Sequence, residues 1–152
     1  LTALETLVQP ASDVLDLGCG SGILSIAAAK LGARQVVAVD IDALSVQATD
    51  ENARQNGVGA HIQTVQGSLE NVISSARRYD LEVVNILANI IIAMCDQHLG
   101  DTVRPGGRAI FSGIIDTQAA DVNAALRKTG LEPVSMRQQG DWVLIEATRP
   151  TT

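Results

Sequence analysis

The chain has 152 residues, enough for one domain with a sizeable buried core. Hydrophobic residues make up 46% and charged residues 18%, as in ordinary globular proteins, but Tyr79, Phe111 and Trp142 are the only aromatics, too few for a base-stacking platform. The formal net charge is −6 and no basic run exceeds Arg77-Arg78, so no phosphate-binding face is evident and small molecules or basic partners suit the balance better.

In chain order, short β-branched runs alternate with longer helical patterns, the signature of βαβ units and a parallel sheet. Residues 1–8 read as the end of a helix stopped before Pro10. Residues 13–17 form the first strand, followed by a glycine-rich turn and a helix over 23–31 that Gly32 closes. A second strand spans 35–40. Asp42 caps the helix over 43–56, whose apolar stripe is Ala43, Val46 and Ala53. A third strand (61–66) and a short helix (69–76) come next.

The fourth strand covers 80–86 and runs into a helix over 90–99. Arg104-Pro105-Gly106-Gly107 is expected to be a turn before the fifth strand, 108–112. A helix over 117–129 carries Ala119, Val122 and Leu126 at helical spacing. Strands 132–137 and 142–147 finish the chain as a hairpin through Gln139-Gly140-Asp141. The expected fold is α/β: Rossmann-like and doubly wound, with a mostly parallel seven-stranded sheet and an antiparallel C-terminal hairpin. Ligands in such folds sit at the carboxyl ends of the strands.

Cys19 and Cys95 form no disulfide framework and have no metal-ligand spacing with His61 or His98. Both are read as packing residues in a reduced, cytoplasmic setting. The first residues carry no signal-peptide pattern, and the apolar stretch 83–95 is too short and too interrupted to cross a membrane. Because the chain starts at Leu1 rather than Met, it is expected to be a piece of a longer protein.

Gly18-Cys19-Gly20-Ser21-Gly22 joins a strand to a helix, where glycines let backbone approach a ligand closely. A dinucleotide fingerprint would place its third glycine at Ile23; here it falls at Gly22. Asp16, two residues before the first glycine, would repel a pyrophosphate and attract a cation. S-adenosylmethionine is cationic and carries no phosphate, and Asp16-x-Gly18-x-Gly20-x-Gly22 resembles the nucleoside-methionine motif of class I methyltransferases. Asp40 ends the second strand and can accept from both ribose hydroxyls. Ile41 offers an apolar face to adenine, and Ser68-Leu69 can edge the ring from the other side.

Asn85, at the mouth after the fourth strand, can accept a hydrogen bond from a substrate amine and aim its lone pair. Glu82 is an anomaly, since a central parallel strand should be apolar there; it either reaches an exposed end or is paired. Trp142 either faces the substrate mouth or covers the sheet edge, and the edge is favoured.

The segments Gly18–Leu24, Val39–Asp42, Tyr79–Ala88, Pro105–Gly107, Ser112–Ile114 and Gly140–Val143 together resemble the methyltransferase family of large-subunit ribosomal protein eleven. The resemblance covers essentially the whole chain. It implies S-adenosylmethionine as methyl donor, S-adenosylhomocysteine as product, no metal and no covalent intermediate. It implies methylation of lysine ε-amino groups and an N-terminal α-amine on that ribosomal protein, with no direct contact to nucleic acid or membrane. It implies Gly18, Asp40 and Asn85 as cofactor contacts, with Asn85 also beside the substrate nitrogen. Asp16, Gly20, Ile41, Ser68 and Leu69 complete the expected cofactor set.

Residues 1–152 are thus expected to be the cofactor-binding domain, without the family's recruiting domain and without the segment that closes over the cofactor. Alone it should bind S-adenosylmethionine weakly. Three alternatives stay open: a related methyltransferase acting on a small-molecule or nucleic-acid nitrogen, an NAD-linked oxidoreductase, and a non-catalytic module of the same fold.

Overall fold

The computed structural model describes residues 2–151. Helices and strands alternate as α1 (Thr2–Leu7), β1 (Asp13–Leu17), α2 (Ile23–Lys30), β2 (Gln35–Asp40), α3 (Ala43–Gln55), β3 (Ile62–Gln66), α4 (Leu69–Ser74), β4 (Tyr79–Asn85), α5 (Ala88–Cys95), β5 (Val103–Ile115), α6 (Ala119–Lys128), β6 (Glu132–Gln139) and β7 (Trp142–Thr148). They build one seven-stranded sheet in the order β3-β2-β1-β4-β5-β7-β6. Five strands are parallel; β7 runs antiparallel to both β5 and β6. The expected fold class is therefore the observed one.

All five residues of β1 are buried, because helices cover both faces of the sheet. Leu15, Val84, Phe111 and Ile145 point to one face, where Ile91 and Leu126 of α5 and α6 meet them. Val14, Val36, Val83 and Ile110 point to the other, against Leu4, Ala28 and Ala53 of α1 to α3. With so few aromatics, the core is filled by close-fitting aliphatic side chains. The chain moves outward from β1 to β3 and then returns to β4, so the order reverses between β1 and β4. Their carboxyl ends form the crevice where doubly wound folds hold ligands.

The opposite end of the sheet is fastened by charge. Asp13 accepts from Arg34 at 2.6 Å and Arg104 at 3.2 Å. Asp80 accepts from the Asp13 backbone N–H and from Arg104, each at 2.8 Å. This network ties the first residues of β1, β4 and β5 together and leaves the carboxyl ends free. No helix among the described residues is long and apolar enough to cross a membrane.

Several expectations shift. The Arg104–Gly107 run is not a separate turn: Val103 already pairs with Tyr79, and the next four residues bulge out before Arg108 pairs with Leu81. Gly106 N–H and Gly107 carbonyl are satisfied by Arg149 at the end of β7, which keeps the bulge within the sheet. Helix α5 ends at Cys95, and Leu99–Thr102 is a separate 3₁₀ turn behind His98, whose φ is +66°. On α3 the buried positions are Thr49 and Ala53, while Ala43 is exposed beside the mouth.

Candidate active site

The turn after β1 is clipped to the end of β2. The N–H groups of Gly18 and Cys19 both donate to the Val39 carbonyl, at 2.8 and 3.0 Å. Gly18 has φ +81°, and a Cβ there would stand 2.8 Å from Cγ2 of Ile86, so the turn lies flat against the segment following β4. Gly20 is different: a Cβ on it would meet nothing within 4 Å, so that side of the turn is open. Gly22 faces Thr49 of α3, whose Cγ2 would be 2.8 Å from an added Cβ. The third glycine thus serves helix packing.

The Asp40 carboxylate accepts from the Gly20 N–H at 3.0 Å and the Asp42 N–H at 2.9 Å. An ionised carboxylate has about four acceptor directions, so about two remain for a ligand. Ile41 beside it is 74% exposed and presents an apolar surface. Asp42 caps α3 through the Leu44 N–H at 3.0 Å. Gly18, Gly20, Asp40 and Ile41 therefore form one continuous lip.

Asp16 lies behind that lip rather than on it. Its side chain is buried and accepts from Ser25 Oγ at 2.6 Å. Burial pushes its carboxyl up to about 6, against the opposing hydrogen bonds from Ser25. Ser68 N–H donates to Asn71 Oδ1 at 2.9 Å. Leu69 points into the core beside Val72, so only its backbone is left to border the mouth. Cys19 and Cys95 are buried, and burial pushes their thiols up to about 11 and about 12.

Asn85 is exposed at the end of β4, one residue before the Ile86 that touches Gly18. It stands in register with Ser112 of β5 and lines a cavity of about 810 Å³. Ser112, Gly113, Arg137, Gln138 and Trp142 form much of the remaining wall, and Ala3 brings α1 to its edge. The expectation that Trp142 covers the sheet edge is corrected: β6 forms that edge, and Trp142 opens β7 at the cavity, 57% exposed. Sequence analysis missed Arg137 and Gln138. The signal was available, because β7 runs antiparallel to β5 and so places the hairpin turn at the carboxyl end of the sheet.

The family model described as ribosomal protein L11 methyltransferase (PrmA) matches residues 1–150. A ribosomal protein L11 methyltransferase from Pelotomaculum thermopropionicum is 44% identical over 97% of this chain, and one from Listeria monocytogenes 41% identical over 98%. The chain spans 47% of the length of each. The crystal structure of ribosomal protein L11 methylase from Lactobacillus delbrueckii subsp. bulgaricus superposes with a TM-score of 0.86 at 35% identity. That match covers 98% of this chain and 78% of the other. An RNA methyltransferase from Salinibacter ruber, in complex with S-adenosyl-L-homocysteine, shares the fold with a TM-score of 0.76 at 20% identity, covering 95% and 85%.

Proposed function

The chain belongs to the ribosomal protein L11 methyltransferase family, and on that premise we propose that it is the cofactor-binding catalytic domain of an S-adenosylmethionine-dependent N-methyltransferase. Its substrates are lysine ε-amino groups and the N-terminal α-amine of ribosomal protein L11, in the cytoplasm. The supporting observation is the juxtaposition of an open lip, Gly18–Asp40–Ile41, with Asn85 at the mouth of a cavity. A recruiting domain and a segment closing over the cofactor belong, in this proposal, to the remainder of the full-length protein.

The residues present suit S-adenosylmethionine. Gly20 leaves open space where the ligand backbone would lie, Asp40 keeps acceptor directions for ribose hydroxyls, and Ile41 offers a flat apolar surface to adenine. Asp16, Asp40 and Asp42 put negative charge around the turn, which favours a cation and opposes a pyrophosphate. When bound, the cofactor supplies a methyl carbon activated by a positively charged sulfur.

The protein's own task is orientation. Asn85 Oδ1 accepts from an N–H of the substrate amine and turns the nitrogen lone pair toward the cofactor side of the mouth. Holding two reactants in line is worth several orders of magnitude in a direct displacement. A lysine reaches the reaction as the free amine, and with a usual value near 10.4 it sheds its proton to solvent at the cavity mouth. Residues of the β6–β7 hairpin wall the substrate off from the side.

The test uses the full-length protein with labelled S-adenosylmethionine and unmethylated L11, with nucleic acid as a parallel substrate. Label in L11, together with thermal protection by S-adenosylhomocysteine and none by NAD, is the expected result. Label in nucleic acid alone, or protection by NAD, would overturn the proposal.

A further inference from the structure

An amine about to accept a methyl group has a geometric requirement that Asn85 alone does not meet. A neutral primary amine has two N–H bonds and one lone pair; fixing the lone pair requires an acceptor for each N–H. Two acceptors placed about 2.9 Å from a tetrahedral nitrogen lie roughly 4.7 Å apart. Neighbouring parallel strands are spaced by about 4.8 Å, and residues opposite each other project to the same face.

Asn85 has one such neighbour on the cavity wall. Ser112 of β5 is its register partner, one residue beyond the Val84–Phe111 pair that turns to the opposite face. Ser112 is half-buried and Asn85 exposed, and both line the same cavity. The Asn85 Oδ1 lies beside Gly113, the residue after Ser112, where an added Cβ would stand 3.1 Å from it. Arg137 on the far wall is a donor and cannot serve an N–H.

We propose that Ser112 is the second amine-positioning residue: with Asn85 it accepts the two N–H groups of a primary amine and so favours the first methyl transfer to each nitrogen. The proposal rests on the N-methyltransferase assignment above. In the step, the nitrogen lone pair forms the new N–C bond while the C–S pair returns to sulfur, leaving a neutral thioether and a methylammonium that sheds one proton to solvent. A monomethylated amine then has a single N–H, which Asn85 alone satisfies, and a dimethylated amine has none. Ser112 therefore matters most for the first transfer and least for the last.

The experiment follows mono-, di- and trimethyl products of L11 by mass spectrometry with the full-length protein and its S112A and S112T forms. S112A should slow the first transfer about tenfold, the effect of one lost hydrogen bond, and leave the third within about twofold. S112T, which keeps a hydroxyl, should restore the first transfer. Thermal protection by S-adenosylhomocysteine should be equal in all three forms, showing that the cofactor lip is intact. Equal slowing of every transfer, no slowing, failure of S112T to restore the rate, or lost cofactor protection would each overturn the proposal. A parent protein that methylates no amine would overturn the N-methyltransferase assignment instead, and Ser112's role with it.

Discussion

Glu82 and Thr102 meet through a hydrogen bond inside the sheet–helix core, with the Glu82 side chain fully buried. The Thr102 hydroxyl has one proton, and the Leu99 carbonyl takes it at 2.8 Å. Thr102 therefore presents a lone pair to Glu82, and the Glu82 carboxyl is the donor. Its other oxygen is buried without a partner among the described residues, which a charged carboxylate could not sustain cheaply. Burial pushes this carboxyl up to about 8, so Glu82 is a neutral acid at pH 7.

The consequence for stability has an uncommon sign. Between its ordinary value of 4.5 and about 8, Glu82 holds a proton in the folded state that the unfolded chain releases. Stability therefore falls as pH rises through that window and levels off above it. Asp16 adds the same slope only up to about 6. Glu82→Gln, which can still donate to Thr102, should flatten the profile between pH 6.5 and 8 and gain on the parent protein by on the order of a few kcal/mol. Urea midpoints at four pH values measure it; parallel profiles for the two proteins would contradict a neutral Glu82.

Asp16 predicts a pH effect on binding as well as on folding. As a carboxylate behind the glycine turn it attracts a cationic ligand, and as a neutral acid it does not. Affinity for S-adenosylmethionine should fall as pH drops through about 6, the value to which burial pushes the group. Asp16→Asn should bind more weakly at pH 7.5 and show little change down to pH 5. Calorimetric titration of the full-length protein at both pH values decides it, and an unchanged pH dependence in the variant would remove Asp16 from cofactor binding.

Two neighbouring glycines should fail in different ways. Gly18→Ala forces a Cβ into Ile86 at a left-handed φ, so about 2–3 kcal/mol of stability is lost. Gly20→Ala meets no protein atom within 4 Å and costs about 1 kcal/mol for its φ alone. Its methyl group occupies the open side of the turn, so S-adenosylhomocysteine should bind at least tenfold more weakly while the melting temperature falls by only about 2–4 °C, less than for Gly18→Ala. The reverse pattern would place the cofactor elsewhere.

How far the sequence carries depends on whether a feature is local. β1, β2 and the caps at Asp42 and Gly32 follow from alternation, turn chemistry and capping within a few residues, and their boundaries agree closely. The Gly18–Asp40 lip was legible for the same reason: each residue ends a parallel strand, and strand order puts those ends together. Glu82 was not. Its environment is assembled from Thr102 and Leu99, 20 and 17 positions away, in a 3₁₀ turn that follows the end of α5. The bulge at Arg104–Gly107 likewise depends on Arg149, which follows β7 more than 40 positions further along the chain. Trp142 was misplaced because hairpin turn chemistry shows that two strands pair but not which of them forms the edge.

Asn85 is the residue whose removal should separate binding from chemistry. Its side chain is exposed, and the β4 core it terminates is built from Leu81, Val83 and Val84. Asn85→Ala should therefore leave the melting temperature within about a degree of the parent protein, because no buried contact is lost. Methyl transfer to L11 should fall about 100- to 1,000-fold, since the amine loses the acceptor that aims its lone pair. The drop belongs in kcat, because orientation is a property of the bound state and the cavity wall is otherwise intact. Asn85→Asp distinguishes orientation from simple polarity: a carboxylate accepts equally well but stabilises the ammonium form of lysine, so its activity should recover only as pH rises. A variant whose kcat matches the parent's at pH 7.5 would show that the amine is positioned by other residues.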